Sequence, residues 1–107
     1  MIRLPDAFRL DSKVAVVTGG AGTIGKSLCR GLAEVGAAVI CASRNLDACK
    51  AVADGITADG GKAFAIRLDL ADTDSIDRFF DEATRLAGGV DILINNAISQ
   101  VPGHVER

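Results

Sequence analysis

The chain predicts an α/β fold, a doubly wound, open parallel sheet with element order βαβαβαβ. Three observations predict it. Short runs rich in Val and Ile alternate with longer segments whose apolar residues recur at helical spacing. Gly or Asn punctuates most of the changes. The connections are only a few residues long, so each helix must carry the chain back across the sheet and successive strands run parallel.

The first strand is "KVAVVT" (Lys13 to Thr18), apolar enough to be covered on both faces. From about Thr23, Ile24, Leu28, Leu32 and Val35 recur on one helical face, and Gly36 supplies the stop. "AVICAS" (Ala38 to Ser43) is the second strand; Leu46, Cys49, Val52 and Ile56 mark the next helix, which runs to Gly60 and Gly61. "AFAIRL" (Ala63 to Leu68) is the third strand. Its helix has Ile76, Phe79, Phe80, Ala83 and Leu86 on one face, Asp72, Asp74 and Asp77 near its positive end and Arg85 near its negative end. "VDILIN" (Val90 to Asn95) is the fourth strand, and "AISQVPGHVER" after it has no periodic segment. Residues 1–107 are therefore expected to form one domain, with a leader over 1–12 and an irregular tail over 98–107.

Length and composition narrow the function. A chain of 107 residues buries about two-thirds of its surface but is short for a two-halved nucleotide-binding enzyme. The net charge of −2, with both signs mixed along the chain, points to neither nucleic acid nor an anionic membrane as partner. Arg3, Asp6, Arg9 and Asp11 interrupt the start, leaving no apolar core for a signal peptide, and no run approaches the ~20 apolar residues of a membrane span. A cytoplasmic protein is expected. Cys29, Cys41 and Cys49 are odd in number and lack C-x-x-C spacing, so they read as small buried apolar residues and no metal site is expected.

"VVTGGAGTIGKSL" (Val16 to Leu28) fits two phosphate-binding patterns. From Gly20 it reads G-x-x-x-x-G-K-S, a P-loop, with Lys26 on phosphate, Ser27 on magnesium and Asp69 available to the metal shell. From Thr18 it reads as a dinucleotide-binding turn, in which Gly19 permits the tight bend and Gly25 the close packing of helix on strand. The second reading also requires a ribose-reading residue at the end of the second strand, about 20 residues on, and Ser43 and Arg44 stand there. A guanidinium suits a 2′-phosphate better than a 2′-hydroxyl, which favours NADP, with NAD second.

Four features in order, Thr18-Gly19 with Gly25, "ASRN" (Ala42 to Asn45), "LDLAD" (Leu68 to Asp72) and "NNA" (Asn95 to Ala97), resemble the short-chain dehydrogenases/reductases across nearly the whole chain. The resemblance implies a Rossmann-like sheet truncated after its fourth strand. It implies that Gly19, Ala21, Gly22, Thr23 and Ile24 cradle the pyrophosphate and adjoining ribose. Ser43, Arg44 and Asn45 would contact the adenosine ribose or its 2′-phosphate, Asp69 the adenine amino group, Leu70 the ring, and Asn95 and Ala97 the cofactor from the central sheet. Two positions depart from the family pattern: Thr23 replaces the middle glycine of T-G-x-x-x-G-x-G, tolerable only with negative φ, and Ile98 replaces the glycine of N-N-A-G. Ser12 also stands where the leader often has glycine.

Family members transfer hydride between NADP or NAD and a secondary alcohol or ketone using a Ser and a Tyr-x-x-x-Lys pair, whereas these 107 residues contain no tyrosine. The expectation is the NAD(P)-binding portion of an oxidoreductase, inactive by itself, with a sugar acid or polyol as the substrate class that overall resemblance suggests. A non-catalytic nucleotide-binding or interaction module is the second reading, and a P-loop NTPase the third. His104 reads as a solvated loop residue, Asp69, Asp72 and Asp74 as a helix cap rather than a metal cluster, and Phe79 and Phe80 as core. With the fourth strand beside the first, the sheet would have a free edge able to recruit a second copy.

Overall fold

The computed structural model describes residues 8–97; Ile98, His104 and most of the leader and tail lie outside the described residues. The elements are β1 (Val14–Thr18), α1 (Thr23–Glu34), β2 (Ala38–Ser43), α2 (Leu46–Ala58), β3 (Lys62–Arg67), α3 (Thr73–Ala87) and β4 (Ile92–Ile94). All pairings are parallel and the strand order is β3-β2-β1-β4. The doubly wound sheet is therefore present, and its order reverses between β1 and β4.

The two faces of the sheet carry separate cores. Ala15, Val17, Val39 and Cys41 point to one face, where Cys29 of α1 and Cys49, Val52 and Ile56 of α2 cover them. Val14, Val16, Ile40, Ala42 and Ile66 point to the other, under Phe79 and Ala83 of α3. β1 is buried along its whole length because it has a strand on each side and helices on both faces. The three cysteines are fully buried and unpaired by disulfides, filling the place of small apolar side chains.

Several local expectations need correction. Ile24 was expected on the buried stripe of α1, yet its side chain is 68 % exposed; the helix instead buries Gly25 and Cys29, with Leu28 and Leu32 half-buried. Phe79 is core, but the adjacent Phe80 is 45 % exposed and meets Phe79 edge-to-face at 5.3 Å between ring centres. Neighbours on a helix are about 100° apart, so a single apolar seam holds only one of such a pair.

β1 and β3 begin one residue later and one residue earlier than their apolar runs suggest, and β4 is shorter at both ends. At β4 side chains replace ladder bonds. Val14 N–H donates to the Asp91 carboxylate at 2.8 Å, and the Thr18 hydroxyl takes the backbone groups beyond Ile94.

Before β1, Leu10 N–H donates to Val35 O at 2.7 Å and Leu10 packs on the first core cluster. The turn that follows places Ser12 at φ +68°, the left-handed region that favours glycine. The glycine that the leader often carries here thus has a conformational reason. Among the described residues, no helix is long and apolar enough to cross a membrane.

Candidate functional site

Parallel strands deliver all the predicted site residues to one edge. Gly19 to Ile24 follow β1, Ser43 to Asn45 close β2, Asp69 and Leu70 follow β3, and Asn95 to Ala97 follow β4. This carboxyl edge, at the reversal between β1 and β4, is where open α/β sheets bind ligands.

Gly19 makes the bend after β1 with φ +66°, and its carbonyl accepts from Gly22 N–H at 3.1 Å. Gly25 packs onto this bend: a Cβ there would collide with Gly19 O and lie 2.7 Å from Gly20 Cα. A side chain at Gly25 therefore pushes the loop off the helix. Gly22 is the N-cap of α1 and supplies no side-chain hydrogen bond, and the first turn has no acidic residue. α2 and α3 differ in both respects: Asn45 accepts from Ala48 N–H and Asp72 from Asp74 N–H, and Asp47 and Asp74 lie in their first turns. Of the three helices, α1 thus presents its N–H groups and positive dipole end without a protein counter-charge. Thr23 occupies the first helical position with negative φ, as the absent middle glycine required.

That geometry also decides against the P-loop pattern. α1 begins at Thr23, two residues before Gly25, so Gly20 to Ser27 do not form an open loop around an anion. Ser27 donates to Thr23 O at 3.4 Å, and Lys26 and Ser27 are exposed on the outer face of the helix.

Thr18 joins the glycine loop to the end of β4. Its hydroxyl accepts from Asn96 N–H at 2.9 Å and Ala97 N–H at 3.0 Å and donates to Asn95 Oδ1 at 3.2 Å. The Asn96 amide donates to Gly19 O at 3.3 Å. Sequence reading singled out Asn95 and Ala97; Ala97 backs onto Gly19, where a Cβ would lie 3.1 Å from Ala97 Cα, Asn96 also touches the glycine loop, and Thr18 organises the junction. The sequence marked Thr18 as the start of the dinucleotide-binding turn but gave no sign of its bonds to the end of β4.

At the end of β2, the Ser43 hydroxyl accepts from Asn45 N–H at 3.1 Å, donates to Asn45 O at 3.3 Å and shares a hydrogen bond of 3.1 Å with the Cys49 thiol. Arg44 and Asn45 are exposed beside it. Beyond β3, one Asp69 oxygen accepts from Ala71 N–H at 3.0 Å, and Asp69 N–H donates to the buried Ser75 hydroxyl at 3.0 Å. The turn fixes the carboxylate and leaves its second oxygen for an outside donor. Leu70 is 50 % exposed, so with Ile24 it offers apolar surface at the same edge.

Under this edge the cysteines form a chain. Cys41 interacts with the thiols of both Cys29 and Cys49. The contact with Cys29, and after it burial, pushes the Cys41 thiol up to about 12; the contact with Cys41 and then burial raise Cys49 too. The contact with Cys41 lowers Cys29. Cys41 and Cys49 are accordingly neutral thiols that pack and orient. Among the described residues no group of His, Cys, Asp and Glu could hold a metal ion. A cavity of about 270 Å³ lies along β3, lined by Leu46, Arg67, Arg78, Phe79 and Glu82 among others, rather than at the glycine loop.

Comparison with known proteins agrees with this geometry. The short chain dehydrogenase family model matches residues 13–106. The chain is 41 % identical over 92 residues to a 7alpha-hydroxysteroid dehydrogenase of Escherichia coli K12, covering 86 % of this chain and 36 % of that protein. It superposes with a TM-score of 0.80 on the crystal structure of a gluconate 5-dehydrogenase from Burkholderia cenocepacia in complex with NADP and tartrate, at 38 % identity, covering 86 % of this chain and 36 % of that one. A Haemophilus influenza oxidoreductase structure with bound NAD gives a TM-score of 0.84 at 29 % identity, covering 91 % of this chain and 35 % of that one. The chain spans a little over a third of the length of these relatives, and it belongs to the short-chain dehydrogenase family.

Proposed function

We propose that this chain is the NAD(P)-binding portion of an oxidoreductase that passes hydride between NADP and a secondary alcohol or ketone. The observation that carries the reading is the uncapped N-terminus of α1 behind the Gly19–Gly22 bend, set where the strand order reverses. Gly19, Ala21, Gly22, Thr23 and Ile24 would hold the pyrophosphate and its ribose. Ser43, Arg44 and Asn45 would hold the adenosine ribose, Arg44 favouring a 2′-phosphate. The free oxygen of Asp69 would accept from the adenine amino group, Leu70 would cover the ring, and Asn95 and Ala97 would bound the nicotinamide side. A bound nicotinamide would supply the hydride acceptor, and Asn95 and Ala97 would orient it.

The gluconate 5-dehydrogenase likeness supports a sugar acid or polyol as substrate class, and the hydroxysteroid dehydrogenase likeness supports a secondary alcohol generally. With no tyrosine in the 107 residues, the chain by itself is expected to show negligible turnover. A second reading, a nucleotide-binding module that works by recruiting a partner, is favoured by Leu93, 57 % exposed on β4, which pairs only with β1.

Calorimetric titration with NADPH, NADH and magnesium ATP, repeated with Arg44→Asp, tests the reading. Saturable NADPH binding that weakens in the variant while NADH holds or improves is expected. A folded chain that binds neither dinucleotide would leave only an architectural likeness.

A further inference from the structure

The β2–β3 register places Arg67 opposite Ser43, as Cα partners in a parallel ladder. Partners in such a ladder send their side chains to the same face of the sheet, so Arg67 leaves β3 on the face that carries Ser43. Arg67 and Leu46, the first residue of α2, line one cavity. Arg44 lies in the turn between β2 and α2. Arg44, next to Ser43 in the chain, and Arg67, opposite Ser43 in the ladder, thus stand at the same end of β2.

The surrounding charges leave both cations unneutralised. Arg44 and Arg67 are exposed, and among the described residues neither has a hydrogen bond or an ion pair. In the same cavity Glu82 is held in a two-point pair by Arg85 at 2.8 and 2.9 Å, and Arg78 faces Asp72 at 3.8 Å. Asp47 is the one acidic residue in the first turn of α2, and no salt bridge joins it to either arginine among the described residues. One solvated arginine selects weakly for a phosphate dianion, whereas two guanidiniums approaching from different directions can each form charge-assisted hydrogen bonds to it.

We infer that Arg67 is a second cation of the 2′-phosphate subsite and sets, together with Arg44, the preference for NADP over NAD. The inference rests on the dinucleotide reading above and extends it to a residue that no glycine-loop or strand-end motif contains.

Calorimetry on the whole chain with NADPH and NADH tests it, using Arg67→Ala, Arg67→Lys, Arg44→Ala and the double alanine variant. Arg67→Ala is expected to weaken NADPH about tenfold, the effect of losing one charge-assisted hydrogen bond, and to leave NADH within about twofold. Arg67→Lys should recover part of the loss, and the double variant should bind the two dinucleotides alike. Raising salt should erode NADPH affinity more steeply in the wild type than in Arg67→Ala. An unchanged NADPH to NADH ratio in Arg67→Ala, with Arg44→Ala alone abolishing it, overturns the role of Arg67 and leaves the dinucleotide reading standing. Equal loss of both cofactors, with an unchanged melting temperature, also overturns a 2′-phosphate role. Failure of the wild type to bind either dinucleotide overturns both.

Discussion

Ser12 is the one non-glycine residue with positive φ among those described, at +68°. A side chain in the left-handed region costs roughly 1–2 kcal/mol, and glycine gives back part of that in unfolded-state entropy. Ser12→Gly should therefore stabilise the fold by about 0.5–1 kcal/mol. The measurement is a urea titration, with the midpoint rising and the slope unchanged; a midpoint that stays or falls would show that the turn carries no strain. At the same scale, Thr18 and Ser75 show what a hydroxyl does when backbone N–H groups converge on it. Thr18 accepts two such groups from the end of β4, and Ser75 accepts one from Asp69, so each fixes a segment at the carboxyl edge of the sheet. Neither role is visible in a string of letters, because the groups they bind come from another element.

The helices divide by how they begin. Asn45 and Asp72 close α2 and α3 against their own N–H groups, while α1 starts at a glycine and stays open. Capping chemistry of this kind is local and was readable at Asp72 from the sequence. The apolar faces were less readable. α3 packs with Phe79 fully inside and Phe80 turned outward, so Phe79→Ala should cost about 3–5 kcal/mol and Phe80→Ala less than about 1 kcal/mol. Chemical denaturation of the two variants checks this. For a domain of marginal stability, roughly 5–15 kcal/mol, the first change removes a large share of the total; equal effects would mean that the two rings exchange places. Ile24 follows the same rule on α1: its position at the start of the helix places it at the carboxyl edge of the sheet rather than over it.

At the scale of the whole molecule, the sheet has β3 at one side and β4 at the other. Ile92 and Ile94 pack under the α1 and α2 face, but Leu93 points to the opposite face, where α3 lies over β3 and leaves β4 uncovered. Among the described residues the outer edge of β4 is unpaired, and an open edge beside an exposed leucine favours self-association. The purified 107-residue chain should therefore sediment with an average mass that rises with concentration, and Leu93→Lys should shift it toward monomer. A wild type that remains monomeric at high concentration would remove the edge as a contact surface.

The sequence by itself determined the order of elements, the parallel sheet, the glycine bend at Gly19 and the grouping of the site along one edge. These follow from periodicity, turn chemistry and short connections, all of which act over a few residues. Tertiary structure alone decided which of two adjacent phenylalanines is core, that Thr18 rather than Asn95 organises the junction, and that Arg67 stands beside Ser43. The hydrogen bonds of Thr18 reach residues 76 to 79 positions away, and the Ser43–Arg67 neighbourhood depends on the register of two strands separated by a helix. Contacts of that span arise only when the two faces of the sheet are packed, because burial on both sides fixes strand register to the residue.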